Sequence, residues 1–573
     1  MKFVILMHTH RPFASHLLTG LFAAVLFVAL PASSAVPPTL SALMQQKADP
    51  WVVKKLADGS TSEFLVVLPE QADLSGAAQF TDKTARGQWV FETLRDNAKR
   101  SQASLLTWLA ARGVEHRPFW VANMVLVRAD AAVANELAKR VDVARLAANP
   151  NVRMPSPPQE EREARAKSTE ATDATTAIEA GVTKIRAPEM WTAGFTGQGI
   201  VIAGADTGYD WTHPAIQGKY RGWNGVSANH NYHWHDAIDA VGFPGGGGVC
   251  GLSSLVPCDD GDHGTHTMGT MVGASGVNEI GVAPGAKWIG CRNMDQGNGT
   301  PATYTECFQW FIAPTMLNGT NPDPSKAPHV INNSWGCPPS EGCTDVNVLR
   351  TVVESVRAAG IVVVVSAGNA GSACSTVNDP AAIYEASFSV GATISASDNL
   401  ASFSSRGPVT VDGSNRMKPN ISAPGVNVRS SLPGGVYGSK NGTSMAGPHV
   451  AGGVALLMSA YPALVGQPGL VQTRLERSAV QRTATVNCGG TGTAAPNNEF
   501  GWGRLDVKAA YDAPFATLDV DNNGVSEASK DGVLIVRYLL GMRGSALTSG
   551  VIGAGARRSS TVAIETYLGT LLL

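Results

Sequence analysis

Three short stretches of the chain carry the residue types needed for hydrolysis through a serine. Ala205-Asp206-Thr207-Gly208 closes an apolar run. Asp262-His263-Gly264-Thr265-His266 precedes a small-residue helical run, Thr267–Gly273. Asn441–His449 sets Ser444 among small residues, directly before the apolar helical run Val450–Met458. A serine at a helix start has free backbone N–H groups and the positive end of the helix dipole beside it. Serine hydrolysis needs a hydroxyl, a base to take its proton and a carboxylate to orient that base. Ser444, His263 and Asp206 supply one of each. Asn369 lies in a Gly-Asn loop just past the apolar run Ile361–Val365, where its amide N–H could meet a developing oxyanion beside the Ser444 N–H.

Each of these residues also has a plainer reading. Ser444 alone is a helix N-cap, and Asn369 alone caps a turn. Asp206-Thr207-Gly208 would be half of an aspartic-protease pair, but no second Asp-Thr-Gly or Asp-Ser-Gly occurs. His263 and His266 have a metal-ligand spacing, yet there is no His-Glu-x-x-His motif. His266 is expected to be structural, His230, His233 and His235 to sit in a solvated loop, and Arg406 to brace a loop. Asn332 and Asn333 are expected to satisfy backbone groups.

The elements that must hold these residues are legible in outline. Gly199–Ala205, His329–Ile331, Ile361–Val365 and Ser387–Ala392 are apolar on both faces, with Thr351–Ala359 helical between two of them. This pattern predicts a parallel sheet in an α/β domain, with active groups at the carboxyl ends of the strands. Residues 36–154 read as β-α-β-α-β: strand Glu63–Leu68, helix Arg86–Arg112, strand Phe119–Val127, helix Ala131–Arg140 and a last strand within Val143–Val152. That order predicts a small open sheet with helices on one face. Residues 155–180 begin with three prolines and continue through the charged run Gln159–Lys167, an exposed linker of the kind where proteolysis concentrates. Residues 513–573 form a further small helical unit.

The chain has 573 residues, too many for one ordinary domain, and its 44% hydrophobic and 16% charged content fits folded, well-cored units. A net charge of −2 gives no electrostatic case for nucleic acid. Residues 1–35 read as a signal peptide, with Lys2 and Arg11, the apolar core Leu17–Leu30 and a cleavage site after Ala35. The apolar run is short for a membrane anchor. All 8 cysteines lie between Cys250 and Cys488, and in an exported chain that favours disulfides. Cys250–Cys258 and Cys337–Cys343 are the easiest local pairs, and Cys291–Cys307 with Cys374–Cys488 would complete one of many allowed sets.

The three chemical segments resemble the signature regions of the subtilisin-like serine proteases, or subtilases. Ser366–Asn369, Phe403–Pro408 and Lys418–Gly425 resemble supporting segments of the same family, all in consistent order over 181–512. The order Asp, His, Ser is that of subtilisin. The resemblance implies Asp206 as orienting carboxylate, His263 as general base, Ser444 as nucleophile and Asn369 as oxyanion donor. It implies an extended peptide bound as an added strand between Ser334-Trp335-Gly336 and Gly297-Asn298-Gly299, with Ala367 and Gly368 lining the primary pocket. No acidic residue stands out in the floor expected at 375–378, which favours apolar or mid-sized side chains.

The implied fold is α/β, with a mainly parallel sheet and helices on both faces. A small α+β ferredoxin-like inhibitory propeptide (36–154) precedes it, and a helical extension (513–573) follows. The extension resembles a dockerin-like or EF-hand-like repeat. Asp519, Asp521, Asn523 and Gly524 match the first, third, fifth and sixth loop positions, with Val525 offering a carbonyl. Lys530 breaks the twelfth position, and Asp531 is expected to substitute. Calcium is thus the expected ion, and no organic cofactor is implied. The whole reads as a secreted, monomeric endopeptidase made as a preproenzyme, acting on protein or peptide substrates and held by its own propeptide. The periplasm and the cell surface are the other locations that fit. A neutral-to-alkaline optimum follows from the need for unprotonated His263. The rivals are a non-catalytic secreted binding protein on a protease scaffold, and a sedolisin-type acid peptidase with glutamate in the place of His263.

Overall fold

In the computed structural model the described residues are 39–154, 178–239, 246, 248–489, 492–513, 518–523, 525–556 and 558–571. The expected signal segment 1–35, nearly all of the expected linker and Gly524 lie outside them. No helix among the described residues is long and apolar enough to cross a membrane.

The N-terminal unit contains β1 (Ser62–Val67), β2 (Glu115–Phe119), β3 (Met124–Ala129) and β4 (Arg145–Ala148), an antiparallel sheet in the order β2–β3–β1–β4. Its two longer helices are α1 (Lys83–Ala111) and α2 (Ala131–Lys139), and two short helices, Ala42–Lys47 and Pro50–Leu56, precede β1. Each of the longer two starts at an aspartate that accepts a backbone N–H: Asp82 from Ala85 and Asp130 from Val133. The single strand expected over Phe119–Val127 is in fact a hairpin, β2 turning into β3. Asn123 makes the turn at φ 40°, its side chain bonded to Ser101, Gln102 and the Glu70 carbonyl. Apolar patterning does not register a turn fixed by one asparagine in the left-handed region. After the sheet, β5 (Val152–Arg153) runs out to pair elsewhere.

The large sheet has seven strands: β6 (Val201–Asp206), β7 (Trp234–Asp236), β8 (Lys287–Arg292), β10 (Val330–Asn333), β11 (Val362–Ser366), β12 (Phe388–Thr393) and β13 (Ile421–Pro424). The order is β13–β12–β11–β10–β6–β8–β7, with every pair parallel. The two-residue strand β9 (Asn298–Gly299) lies apart from it. Helices α3 (His263–Val272) and α6 (Thr443–Ala460) pack on one another, and α6 runs along β10 to β13. Nearly all of α6 is buried, so its apolar residues form no stripe. Helices α4 (Pro301–Ile312) and α5 (Arg350–Ala358) share a different core cluster. The sequence also divides β6 correctly at Asp206, where the strand ends.

The small sheet is buried on both faces. Phe64 and Val66 of β1 pack with Leu105, Leu109 and Leu137 of the unit's own helices. Leu65, between them, joins Met124 and Leu126 against Tyr304, Phe308 and Phe311 of α4 and Val352 of α5. Helix α1 contributes to both clusters, with Leu105 and Leu109 beside Phe64 and Val66 and with Val90, Phe91 and Leu94 in the cluster of Leu65. The unit's helices are therefore not confined to one face as expected, and the neighbouring domain shares the second cluster. The C-terminal unit has a separate small core of Val520, Leu534, Leu547, Val551, Ile564 and Leu568.

Four disulfides are present: Cys250–Cys258, Cys291–Cys307, Cys337–Cys343 and Cys374–Cys488. Cys291–Cys307 pins α4 to β8. Cys374–Cys488 closes a separation of 114 residues, and disulfides across long loops restrict the unfolded chain most.

Several histidines are held neutral in the interior. Burial lowers the pKa of His449, on α6, to about 4 and that of His329 to about 3. His449 Nδ1 donates to the Met445 carbonyl at 2.9 Å, and its Nε2 has no hydrogen-bond partner. A depressed histidine pKa means that the unfolded chain takes up protons first as the pH falls. The stability is therefore complete above about pH 6.5 and is lost toward pH 4, by about 3 kcal/mol for a group such as His449. Thermal melts from pH 7 to pH 4 should show this loss, and a His449→Gln chain should lose less over the interval. Equal losses in the two chains would refute the assignment.

Candidate active site

Asp206 is the last residue of β6 and is 1% exposed. Its Oδ1 accepts from Thr207 N at 2.8 Å and faces His263 Nδ1 at 2.8 Å. Its Oδ2 accepts from Thr267 Oγ1 at 3.2 Å. Thr267 can do this because α3 begins at His263, earlier than the expected start at Thr267, which places the two residues one turn apart on one face. The carboxylate thus fixes the ring by its Nδ1 and leaves Nε2 toward the cleft.

Ser444 is the second residue of α6, behind Gly442 at φ 149°. Only a residue without a β-carbon takes that backbone shape readily. Ser444 Oγ donates to the Ser334 carbonyl at 3.2 Å, and Ser334 Oγ donates to the Ser444 carbonyl at 2.9 Å. No hydrogen bond among the described residues joins Ser444 Oγ to the His263 ring. Such bonds are often long until a substrate is in place.

Asn369 follows β11 and is exposed. Its Oδ1 accepts from both Thr443 N and Thr443 Oγ1, each at 2.9 Å. That fixes the amide, so Nδ2 is its outward, donating end next to the start of α6. Thr443 was not singled out in the sequence, although it adjoins Ser444.

Ser334-Trp335-Gly336 leaves the end of β10. Trp335 Nε1 donates to the Ala205 carbonyl at 3.1 Å, and its ring stacks on Tyr304 at 3.9 Å. Ala367 and Gly368 leave the neighbouring β11. Gly297-Asn298-Gly299 holds a strand of this same chain: β5 pairs antiparallel to β9, Arg153 opposite Asn298 and Val152 opposite Gly299. Met154 N donates to the Gly297 carbonyl at 2.7 Å. On the other side, Arg153 N donates to Glu341 Oε2 at 3.0 Å rather than to the Ser334–Gly336 backbone. Glu341 was also missed, since nothing in its local sequence marks a partner almost two hundred residues away.

Behind these segments, the fully buried Arg292 guanidinium meets Asp236 at 3.1 Å, Asp295 at 2.7 Å and Asp260. Asp260 precedes His263 by three positions and Asp295 precedes Gly297 by two, so one cation holds both loops. Burial and the neighbouring Asp295 push the Asp260 pKa up to about 6.

The remaining sequence expectations sort plainly. His266 is buried, its Nε2 facing the Val428 and Gly438 carbonyls at 2.9 and 3.2 Å. His230, His233 and His235 are not a solvated loop. His230 bonds Tyr220, His235 bonds Glu306, and burial lowers His233 to about 4. Arg406 pairs with the buried Glu499 at 2.9 Å. Asn332 donates to Ser334 Oγ, and Asn333 donates to the Val364 carbonyl.

In the C-terminal unit, Asp519, Asp521 and Asp531 bring ligand oxygens within 4.8 Å of one another. Asp531 Oδ1 accepts from Val520 N and Asp521 N, and its Oδ2 from Glu527 N. The Asn523 side chain is turned to its own loop, accepting from Val525 N at 2.8 Å.

A profile of the subtilase family matches residues 197–503. The chain is 34% identical over 520 residues to bacillopeptidase F of Bacillus subtilis (strain 168), which covers 85% of this chain and 34% of that protein. It is 34% identical over 304 residues to subtilisin E of the same organism, covering 52% of this chain and 65% of the relative. A subtilisin of Bacillus pumilus is also 34% identical over 304 residues, here across 90% of its length. The chain thus spans about a third of bacillopeptidase F and just under two thirds of subtilisin E. With the seven-stranded parallel sheet and the profile match covering more than half its length, the chain belongs to the subtilase family of serine peptidases.

Proposed function

We propose that this chain is a serine endopeptidase that cuts proteins through an acyl-enzyme. The observation that carries the reading is the 2.8 Å contact of His263 Nδ1 with the buried Asp206, alongside an Asn369 amide locked by Thr443 next to Ser444. His263 Nε2 takes the Ser444 proton as Ser444 Oγ attacks the peptide carbonyl. The oxyanion that forms meets Asn369 Nδ2 and the Ser444 N–H at the start of α6. His263 then protonates the leaving amine, and water attacks the ester with His263 again as base. Substrate lies extended against Gly297–Gly299, with Ser334–Gly336 facing it and Ala367 and Gly368 at the primary pocket.

Residues 36–154 act as an inhibitory propeptide in this reading, released by a cut in the 155–180 linker after export. Two observations support it. Strand β5 occupies the Gly297–Gly299 edge that a substrate would use, and Leu65, Met124 and Leu126 of the small sheet share a core cluster with α4 and α5. Parting that cluster exposes several large apolar side chains, each worth about 1.5–3 kcal/mol when buried, so inhibition outlasts a single cut.

Asp519, Asp521 and Asp531 are the candidate calcium ligands. Asp521 and Asp531 are buried, and a third carboxylate beside them makes a site that a divalent cation would neutralise. Bound there, the ion would join the loop at 519–523 to the helix Asp531–Leu539. Asn523 Oδ1 accepts from Val525 N, and the Val525 carbonyl offered as a further ligand takes no part in that bond.

Ser444→Ala is expected to abolish turnover and leave the 155–180 linker uncut. Casein cleavage by the purified variant at the wild-type rate would end the proposal. Asn369→Ala should lower kcat by about 10²–10³ with little change in KM, the loss found for the corresponding asparagine of subtilisin. A fall in KM-linked binding alone would remove Asn369 from the oxyanion role. For the C-terminal unit, calcium added after chelation should raise its unfolding temperature in the full chain, and Asp521→Asn should erase the rise. Identical melts with and without calcium would exclude the site.

A further inference from the structure

One carboxylate in the cleft has no part in the chemistry above. Asp379 directly follows the pocket-floor segment 375–378 and is half-buried. Two glycines locate it. A β-carbon on Gly336 would stand 2.7 Å from Asp379 Oδ2, and one on Gly368 would stand 3.9 Å from the same oxygen. Gly336 lies on the segment after β10 and Gly368 on the segment after β11. The oxygen therefore sits between the two facing segments, in the space that their missing side chains leave.

The partners of Asp379 are few. With the Asn378 amide oriented to suit its neighbours, its nitrogen donates to Asp379 Oδ1 at 2.9 Å and to the Thr376 carbonyl at 3.3 Å. Among the described residues Oδ2 has no donor, and no lysine, arginine or histidine pairs with this carboxylate. The first cation after Asp379 in the chain, Arg406, is paired with Glu499. Its backbone instead braces the pocket floor: the Arg406 carbonyl accepts from Thr376 N at 2.8 Å and Val377 N at 3.0 Å. Cys374–Cys488 ties the same loop down. The backbone of the floor is thus held on both sides.

The surroundings are negative. Burial, and the Glu341 carboxylate nearby, push the Asp379 pKa up to about 6. Glu341 also holds the Arg153 N–H of the strand lying in the cleft. A half-buried carboxylate without a cation carries a desolvation cost that an incoming positive group removes. An aliphatic or aromatic side chain placed there would worsen it.

We propose that the pocket between Gly336 and Gly368 takes a cationic P1 side chain, lysine or arginine, with Asp379 Oδ2 as its acceptor. This rests on the endopeptidase reading and departs from the apolar preference expected when only 375–378 was considered. Asp379 is one residue beyond that segment, and its neighbours Gly336 and Gly368 are distant in sequence, so its place was not visible there.

The test uses the activated full-length product and peptide p-nitroanilides that differ only at P1. Wild type is expected to show kcat/KM for Arg or Lys at least about tenfold above Phe or Leu, the discrimination that a charged hydrogen bond provides. Asp379→Asn should lower kcat/KM for the Arg and Lys substrates by about tenfold or more and leave the Phe substrate level or improved. Labelling of Ser444 by a fluorophosphonate reports whether each protein is folded and reactive. Mapping the cuts that wild type makes in casein gives a readout that needs no variant, and the cuts should follow Lys and Arg. Labelling with cuts mainly after Phe, Leu or Met overturns the proposal and leaves the endopeptidase reading intact. An unchanged Arg-to-Phe ratio in a labelled Asp379→Asn protein also overturns it. Absence of both labelling and cleavage in wild type sinks the two together.

Discussion

A carboxylate at the end of a buried strand is costly unless each oxygen is satisfied, and Asp206 is where this chain meets that constraint. The satisfying groups come from three places: the Thr207 N–H, the Thr267 hydroxyl and His263 Nδ1. The last two depend on α3 starting at His263, so that His263 and Thr267 share a face, and the first on β6 ending at Asp206. The helix start depends in turn on the loop before it, where Asp260 is held by Arg292 from β8. The orientation of one imidazole is therefore the outcome of strand register, helix phase and a buried ion cluster. An error in any one of them would leave Asp206 unsatisfied at a cost of about 1–3 kcal/mol or more.

The same economy holds for the opposite side of the cleft. Parallel strands deliver their carboxyl ends to one edge of the sheet, and three adjacent strands, β6, β10 and β11, end there in Asp206, Ser334 and the Ala367–Asn369 loop. Helix α6 crosses behind them with its N-terminus at this edge, and Thr443 and Ser444 stitch it to Asn369 and Ser334. Asn369 is exposed but not loose, since its acceptor is doubly bonded. An amide whose oxygen is committed presents its nitrogen without reorganising, which is what electrostatic stabilisation of a transient charge requires.

Much of this was legible in the sequence because it is local. Asp206, His263 and Ser444 each lie at a junction where an apolar run begins or ends, and Asn369 lies in a glycine-bounded loop after such a run. The α/β class followed from runs apolar on both faces. What was not legible depends on contacts between distant segments. The β2–β3 hairpin is set by Asn123 bonding to α1, so the run across it looked like one strand. The three loop histidines looked solvated because their partners, Tyr220 and Glu306, come from other segments. Asp519, Asp521 and Asp531 gather their carboxylates although Asp531 stands one place past the loop position that Lys530 breaks, a substitution that only the folded unit displays.

The small N-terminal sheet shows why covering a cleft and folding beside it go together. Alternation along β1 places Phe64 and Val66 with the second half of α1 and with α2, and Leu65 with the first half of α1 and with α4 and α5. A sheet that its own helices do not fully close leaves an apolar face, and such a face needs a partner in order to stay in water. Here α4 and α5 are that partner, and α4 begins immediately after β9, the strand that pairs with β5. The stretch Asn298–Ile312 thus both pairs with β5 and contributes, with α5, to the packing of the sheet. Glu341 closes the arrangement from the other side by holding the Arg153 N–H. Removing the strand without removing the sheet would expose one backbone edge, whereas removing the sheet exposes an apolar face as well. The larger cost lies with the sheet.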